Sequence, residues 1–271
     1  MGSDVDTFGI DTVKIRGDLI QGCGAVFEDR RDFTLCHIQG LHLIIRDAGD
    51  LFLTAELFRG CSYPIPFNEP CIVFDVGMNV GMAALQFASS PYVERVYSFE
   101  PFPRTFELAV ANCALNPTIM AKIHPHCFGL ATANESRLVT YSEKLRGSMT
   151  TQGVPPCRFS PGIVTTEAIE LRDIVDVFSP ILAQSSQYRR ILKMDCEGDE
   201  YTLIPRLEEQ GLLKVFDFIM IEFHYQGAGP ILDILERNDF FTTSATRSEQ
   251  ILFHGKEGNM IYASKNQKDL D

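Results

Sequence analysis

No apolar run in this chain approaches the roughly 20 consecutive residues that a membrane-spanning helix requires. The opening residues, MGSDVDTFGI, hold neither a basic region nor a hydrophobic stretch, which speaks against a secretory signal. Asp6 also breaks the myristoylation pattern. The resulting expectation is a cytoplasmic protein that does not engage a membrane. Cations are scarce, with 24 Lys and Arg against 36 Asp and Glu, a net charge of −12. A nucleic-acid or anionic-membrane surface needs clustered Lys and Arg. The pairs Arg30–Arg31 and Arg189–Arg190 are too small to supply one and read as solvated turns. Among the eight cysteines no C-x-x-C pair occurs, so a structural zinc site lacks its spacing. Cys71, Cys113, Cys127 and Cys196 lie in apolar or element-forming stretches, as reduced and mostly buried thiols do. Repeats, low-complexity tracts and long linkers are missing too.

What remains is a chain of 271 residues, 45% hydrophobic and 22% charged, with ample length for a large α/β core. Residues 1–70 are mixed, with strand-like pieces such as LHLIIRD, and end in the proline-broken GCSYPIPFNEP. They read as an N-terminal cap joined to a main domain over residues 71–271. From residue 71 strands alternate with helices. CIVFDVG, RVYSFE, a segment of AKIHPHCFGL, RILKMD and FDFIMIEFH are the expected strands. GMAALQFASS, PRTFELAVANCALN, EGDEYTLIPRLEEQGLL and PILDILERNDF are the expected helices. The repetition predicts a largely parallel, doubly wound sheet. EQILFHG and GNMIYASK are expected to pair antiparallel at one edge. Residues 143–165, rich in Gly, Pro and Thr, are expected to be a long irregular insertion, a lid or binding element.

The stretch VFDVGMNVGM, residues 73–82, passes from an apolar strand through Asp75, Gly77 and Gly81 into a helix. In an open parallel sheet, ligands bind beyond the C-terminal strand ends. The G-x-x-x-G spacing puts Asn79 where a dinucleotide fingerprint carries the glycine that admits a pyrophosphate, which disfavours NAD or FAD. Glu100, ending the next strand in YSFEP, stands where an acid accepts two hydrogen bonds from a ribose diol. Asp75 is a further acceptor, suited to an ammonium group held directly or through water. A ribose, an ammonium and no pyrophosphate together describe S-adenosylmethionine, whose sulfonium suits an acid-lined pocket. Ordinary turn glycines and a solvated strand end would explain each motif alone. Both motifs at matching strand ends favour the cofactor.

VFDVGMNVGM, VYSFEPFPRTFELAVANCALN, RGSMT, ILKMDCEGDEYTLI and FIMIEFH, with the preceding DAGDLFLTAELFRGCSYPIP, resemble the FkbM-type methyltransferases over roughly residues 47–262. The resemblance implies a class I methyltransferase, Rossmann-like fold with seven strands, the last antiparallel, and S-adenosylmethionine as cofactor. It also implies O-methylation of a natural product or sugar, with Asp75, Gly77, Asn79, Gly81 and Glu100 on the cofactor. Met78 stands where the family often has Ala, a bulkier residue that leaves the polar contacts in place. The acceptor does not carry over, because the family is diverse.

Asp195 ends the fourth strand in KMDCEGDEY, with Glu197 two residues on, and Glu222 and His224 end the fifth in MIEFHY. Period-two alternation would put Glu222 and His224 on one face. These four residues are expected around the methyl-transfer pocket, Asp195 touching cofactor as well as acceptor, and Glu197 and Glu222 on the acceptor side. Methyl transfer to an alcohol needs an in-line oxygen and a route for its proton. His224 has the ordinary pKa suited to a general base, and Asp195 would orient the hydroxyl or take its proton. The alternative is Mg²⁺ on Asp195 with Glu222 or His224, lowering the hydroxyl's pKa. The metal-free route is narrowly preferred. Asp199 and Glu200 read as acids favoured by the next helix's dipole. Phe128 is a candidate for packing on adenine, and Ser148, in RGSMT, for the acceptor side. Two rivals stand beside the small-molecule O-methyltransferase: a methyltransferase acting on protein or RNA, and a non-catalytic Rossmann-like binding module.

Overall fold

The computed structural model describes residues 11–153, 162–246 and 259–270. Helix α1 (Thr12–Cys23) starts at Asp11, whose side chain accepts the Lys14 N–H, and stops at left-handed Gly24. Strands β1 (Val26–Asp29), β2 (Thr34–Ile38) and β3 (Leu41–Ile45) form an antiparallel meander. Helix α2 (Ala48–Phe58), capped by Asp47, leads to the main sheet.

That sheet begins with β4 (Cys71–Val76), buried along its whole length, followed by α3 (Met82–Ser89), β5 (Val93–Phe99), α4 (Pro103–Ala114), the short α5 (Pro117–Met120) and β6 (Ile123–His126). The chain then leaves it for a smaller sheet of β7 (Gly129–Ala131), β8 (Glu135–Ser142) and β9 (Val164–Asp173), and runs into α6 (Ile174–Ala183). It returns through β10 (Arg189–Met194), α7 (Glu200–Glu209), β11 (Phe218–Glu222), α8 (Gly229–Arg237), β12 (Phe241–Thr246) and β13 (Asn259–Ser264). The seven-stranded order is β12-β13-β11-β10-β4-β5-β6, and only β13 runs against the rest.

Alternation along the central strands divides the core in two. Cys71 and Val73 of β4 face a cluster with α1, the meander, α2, α3 and α4. Ile72, Phe74 and Val76 face a second cluster with α6, α7 and α8. The doubly wound, mostly parallel architecture expected from the sequence is therefore present, with the last strand antiparallel. No helix among the described residues is long and apolar enough to cross a membrane. The seven described cysteines are all free thiols.

Several local expectations change. The partner of β13 is β12, FTTSAT, whose polar sequence hid it; EQILFHG lies outside the described residues. The insertion is partly regular: Glu143–Ser148 forms a 3-10 helix, Thr150 bridges to Gly153, and β9 opens at Val164. Arg189 and Arg190 open β10 rather than a turn, and Arg189 pairs with Asp217.

Candidate active site

The glycine turn between β4 and α3 passes very close to the protein itself. Gly77 has φ 84°, and a Cβ there would lie 1.8 Å from the carbonyl oxygen of Asp195. Gly81 has φ 81° and sits against Ala109 of α4, where a Cβ would meet backbone at 3.2 Å. The neighbouring strand and helix therefore demand these glycines. Asn79, also left-handed, donates its N–H to Glu100 Oε2 at 2.8 Å, and Phe102 N–H reaches Oε1 at 3.1 Å. Glu100 thus latches the turn to the end of β5. It is 5% exposed, and burial pushes its pKa up to about 7 against the pull of those two N–H groups.

Asn79 and Glu100 line one cleft together with Gly77, Arg146, Asp195 and Glu197. Each Glu100 oxygen has one backbone donor and so retains acceptor capacity. Asn79 Oδ1 is buried without a hydrogen-bond partner. Buried acceptors of this kind fit a ribose diol and the polar edge of a nucleoside.

Asp75 does not reach that cleft. It is fully buried, accepts from Ser98 Oγ at 2.8 Å and pairs with Lys193 Nζ at 3.1 Å. Asp75 and Lys193 are register partners on β4 and β10, so the sheet itself brings them together. An ammonium group is already supplied by the chain, which overturns the expectation that Asp75 holds one from the cofactor. Burial would lower the Lys193 pKa, but Asp75 and Asp195 outweigh it and the pKa is raised. Nζ also donates to Gly77 O at 2.6 Å and Val76 O at 3.3 Å, bracing the turn from below.

Across the cleft, Asp195 Oδ2 accepts from Tyr63 Oη at 3.0 Å. His224 Nε2 stands 4.0 Å from Asp195 Oδ1 and 3.7 Å from Glu197 Oε1. Behind the ring, Glu200 accepts from His224 N–H at 2.7 Å and from Nδ1 at 3.1 Å. Burial alone would lower the His224 pKa, but the Glu200 hydrogen bond and the Glu197 and Asp195 charges raise it to about 9. That direction works against the free-base role expected for His224, because the surrounding carboxylates favour the protonated ring. Glu200, read from the sequence as a helix-dipole acid, is the fully buried anchor of His224. Asp199 lines the cleft too; burial lifts its pKa to about 6, opposed by a Thr151 hydrogen bond.

Three other expectations move. Phe128 packs in the core against Phe99 and His126, with the Arg172 guanidinium over its ring, so it is not available to adenine. Ser148 is not in the cleft wall, although Arg146, Gly147 and Met149 beside it are. Glu222 is the last residue of β11, opposite Met260, and is not part of the Asp195–Glu197–His224 group. Sequence reasoning missed Arg146, which ties the cleft wall to Asp47 and Asp50 at the start of α2. It also missed Lys193, Tyr63 and the anchoring by Glu200. A cation inside ILKM and an acid inside VFDV were a readable signal for one of these pairs.

The family description "Methyltransferase FkbM domain" matches residues 75–241. "Methyltransferase 1" of Beauveria bassiana (strain ARSEF 2860) is 24% identical over 170 residues, covering 59% of this chain and 68% of that protein. "Methyltransferase sdnD" of Sordaria araneosa is 24% identical over 221 residues, covering 73% and 84%. The crystal structure of a methyltransferase FkbM from Methylobacillus flagellatus KT superposes with a TM-score of 0.45 at 14% identity. That superposition covers 78% of this chain and 47% of the other, so the chain spans about half of that structure.

Proposed function

The chain belongs to the FkbM methyltransferase family, and from that premise we propose that it transfers a methyl group from S-adenosylmethionine to a hydroxyl oxygen of a small molecule, a natural product or sugar. One observation carries this reading. The turn latched by Glu100 and the acids around His224 line the same continuous cleft. That shared lining supports a cofactor side and an acceptor side within one cleft.

The cofactor, when bound, supplies an electrophilic methyl on a sulfonium. Glu100 would accept the ribose hydroxyls, and Asn79 would offer its unpaired Oδ1 to the nucleoside. Tyr63 fixes Asp195 Oδ2, which leaves Oδ1 to orient the acceptor hydroxyl and take its proton. His224, held by Glu200, offsets the negative charge beside it. Asp195, Glu197 and Asp199 make this wall acidic, which favours a neutral acceptor over a polyanion such as RNA. Positioning supplies much of the rest, because methyl transfer needs the oxygen held in line.

The test is incubation of the full chain with S-adenosylmethionine bearing a ¹³C methyl group and, in separate arms, a panel of hydroxylated small molecules, amines, RNA and protein, read by NMR. Label appearing as an O-methyl ether supports the proposal. Label appearing only on RNA, protein or amines, or no transfer in any arm, would overturn it.

A further inference from the structure

Asp195, Glu197 and His224 stand at ion-pair distance but too far apart for direct hydrogen bonds. One donor atom from each lies within 4.8 Å of the other two. His224 Nε2 stands 3.7 Å from Glu197 and 4.0 Å from Asp195. Charge-assisted N–H···O bonds close to about 2.7–2.9 Å. Donors that share one divalent ion, each about 2.0–2.2 Å from it, stand roughly 3–4 Å apart. The ring is 8% exposed, and among the described residues its hydrogen bonds run from Nδ1 alone. A buried polar atom is thus aimed into the gap between two carboxylates.

The far side of the ring is fixed. Glu200 is fully buried and takes Nδ1 at 3.1 Å, while Gly198 N–H holds its other oxygen at 2.8 Å. A carboxylate behind an imidazole is how proteins orient a histidine ligand and raise its basicity. Asp195, Glu197 and Glu200 together bring three carboxylates to one imidazole; Lys193 Nζ, 3.9 Å from Asp195 Oδ2, is shared with Asp75, so the group stays net acidic and a dication would offset it.

We propose that Asp195, Glu197 and His224 hold one divalent first-row transition-metal ion on the acceptor side of the cleft, with Glu200 orienting His224. Mg²⁺ fits poorly, because it favours an all-oxygen octahedral shell. An imidazole among carboxylates suits Mn²⁺ or Fe²⁺. The proposal goes beyond the methyl-transfer reading, and occupancy is measured without turnover, so either can fail separately.

The experiment titrates the EDTA-stripped full chain with Mn²⁺ and follows the free ion by electron paramagnetic resonance. One Mn²⁺ per chain is expected, in the micromolar range, displaced by Zn²⁺ but not by equimolar Mg²⁺. Glu200→Gln should weaken binding roughly 10–100-fold. Glu197→Gln should weaken it about tenfold or more, and gives the result should the buried Glu200→Gln variant fail to fold. Glu222→Gln should leave binding unchanged. No saturable binding below millimolar Mn²⁺, or binding that Glu197→Gln leaves intact, would overturn the site. Loss through Glu222→Gln would overturn the ligand set, and ready displacement by Mg²⁺ the ion class.

Discussion

Replacing Glu100 by glutamine removes one charge from the floor of the cleft while keeping the side chain's volume. In the free protein, burial holds this carboxyl at a pKa of about 7 instead of 4.5. A ribose diol donates best to the ionised form, so cofactor binding must draw the proton off. The directions follow from that linkage. A raised carboxyl pKa contributes fold stability that is fully present below 4.5 and lost as pH rises through about 7. Cofactor affinity runs the other way, strengthening as pH rises from about 6 to 8, up to tenfold per unit below the pKa and level above it. Hydrogen bonds to a charged acceptor contribute about 1.5–3 kcal/mol. Glu100→Gln should therefore weaken cofactor binding by about 1–3 kcal/mol and flatten its pH dependence. Calorimetry with S-adenosylhomocysteine, in buffers of different ionisation enthalpy, reads affinity and proton release together. A pH-independent wild-type affinity, or a glutamine variant that binds as tightly, would refute the reasoning.

Other perturbations follow from the same geometry. Gly77→Ala sets a methyl against the Asp195 carbonyl in a left-handed backbone, and should cost at least about 1–3 kcal/mol in denaturant unfolding as well as cofactor affinity; normal values for both would mean that the turn is pliable. Lys193→Met strands the buried Asp75 carboxylate and should cost about 3–5 kcal/mol, part of which Asp75→Asn should restore in the double variant. Chemical denaturation of the two single variants and the double variant decides this, and additive losses would argue against the pair. Asp195→Ala should depress kcat by roughly 10²–10⁴ and His224→Ala by less, since the ring offsets charge and does not take the proton, with far smaller effects on cofactor affinity in both, measured with whichever acceptor takes the label. Full turnover in both would leave positioning alone as the source of catalysis.

The central sheet was readable because its strands are short apolar runs bounded by turn residues and separated by helical periodicity. The positions of Gly77 and Glu100 just past strand ends, and of Gly81 at the start of a helix, were readable for the same reason. What failed was information that only tertiary contact carries. Glu200 opens a helix, and nothing local says that it grips a histidine 24 residues away. Asp75 looked like a ligand for a cation, but the cation lay on the adjacent strand at the same register. Phe128 looked free to stack until Phe99 and Arg172 closed over it. The second sheet escaped because β9 follows a Gly- and Pro-rich stretch that reads as loop, although VTTEAIELRD alternates cleanly. Arg146 was hidden in a short motif whose partners, Asp47 and Asp50, come from the N-terminal segment.

The most direct test of the cofactor assignment is an equilibrium titration of the purified full chain with S-adenosylhomocysteine and, separately, with NAD. The cleft beside Glu100 should take up one S-adenosylhomocysteine per chain at low-micromolar or tighter affinity, with no measurable response to NAD. Tight NAD binding with no response to the sulfonium cofactor's product would contradict the account at its root.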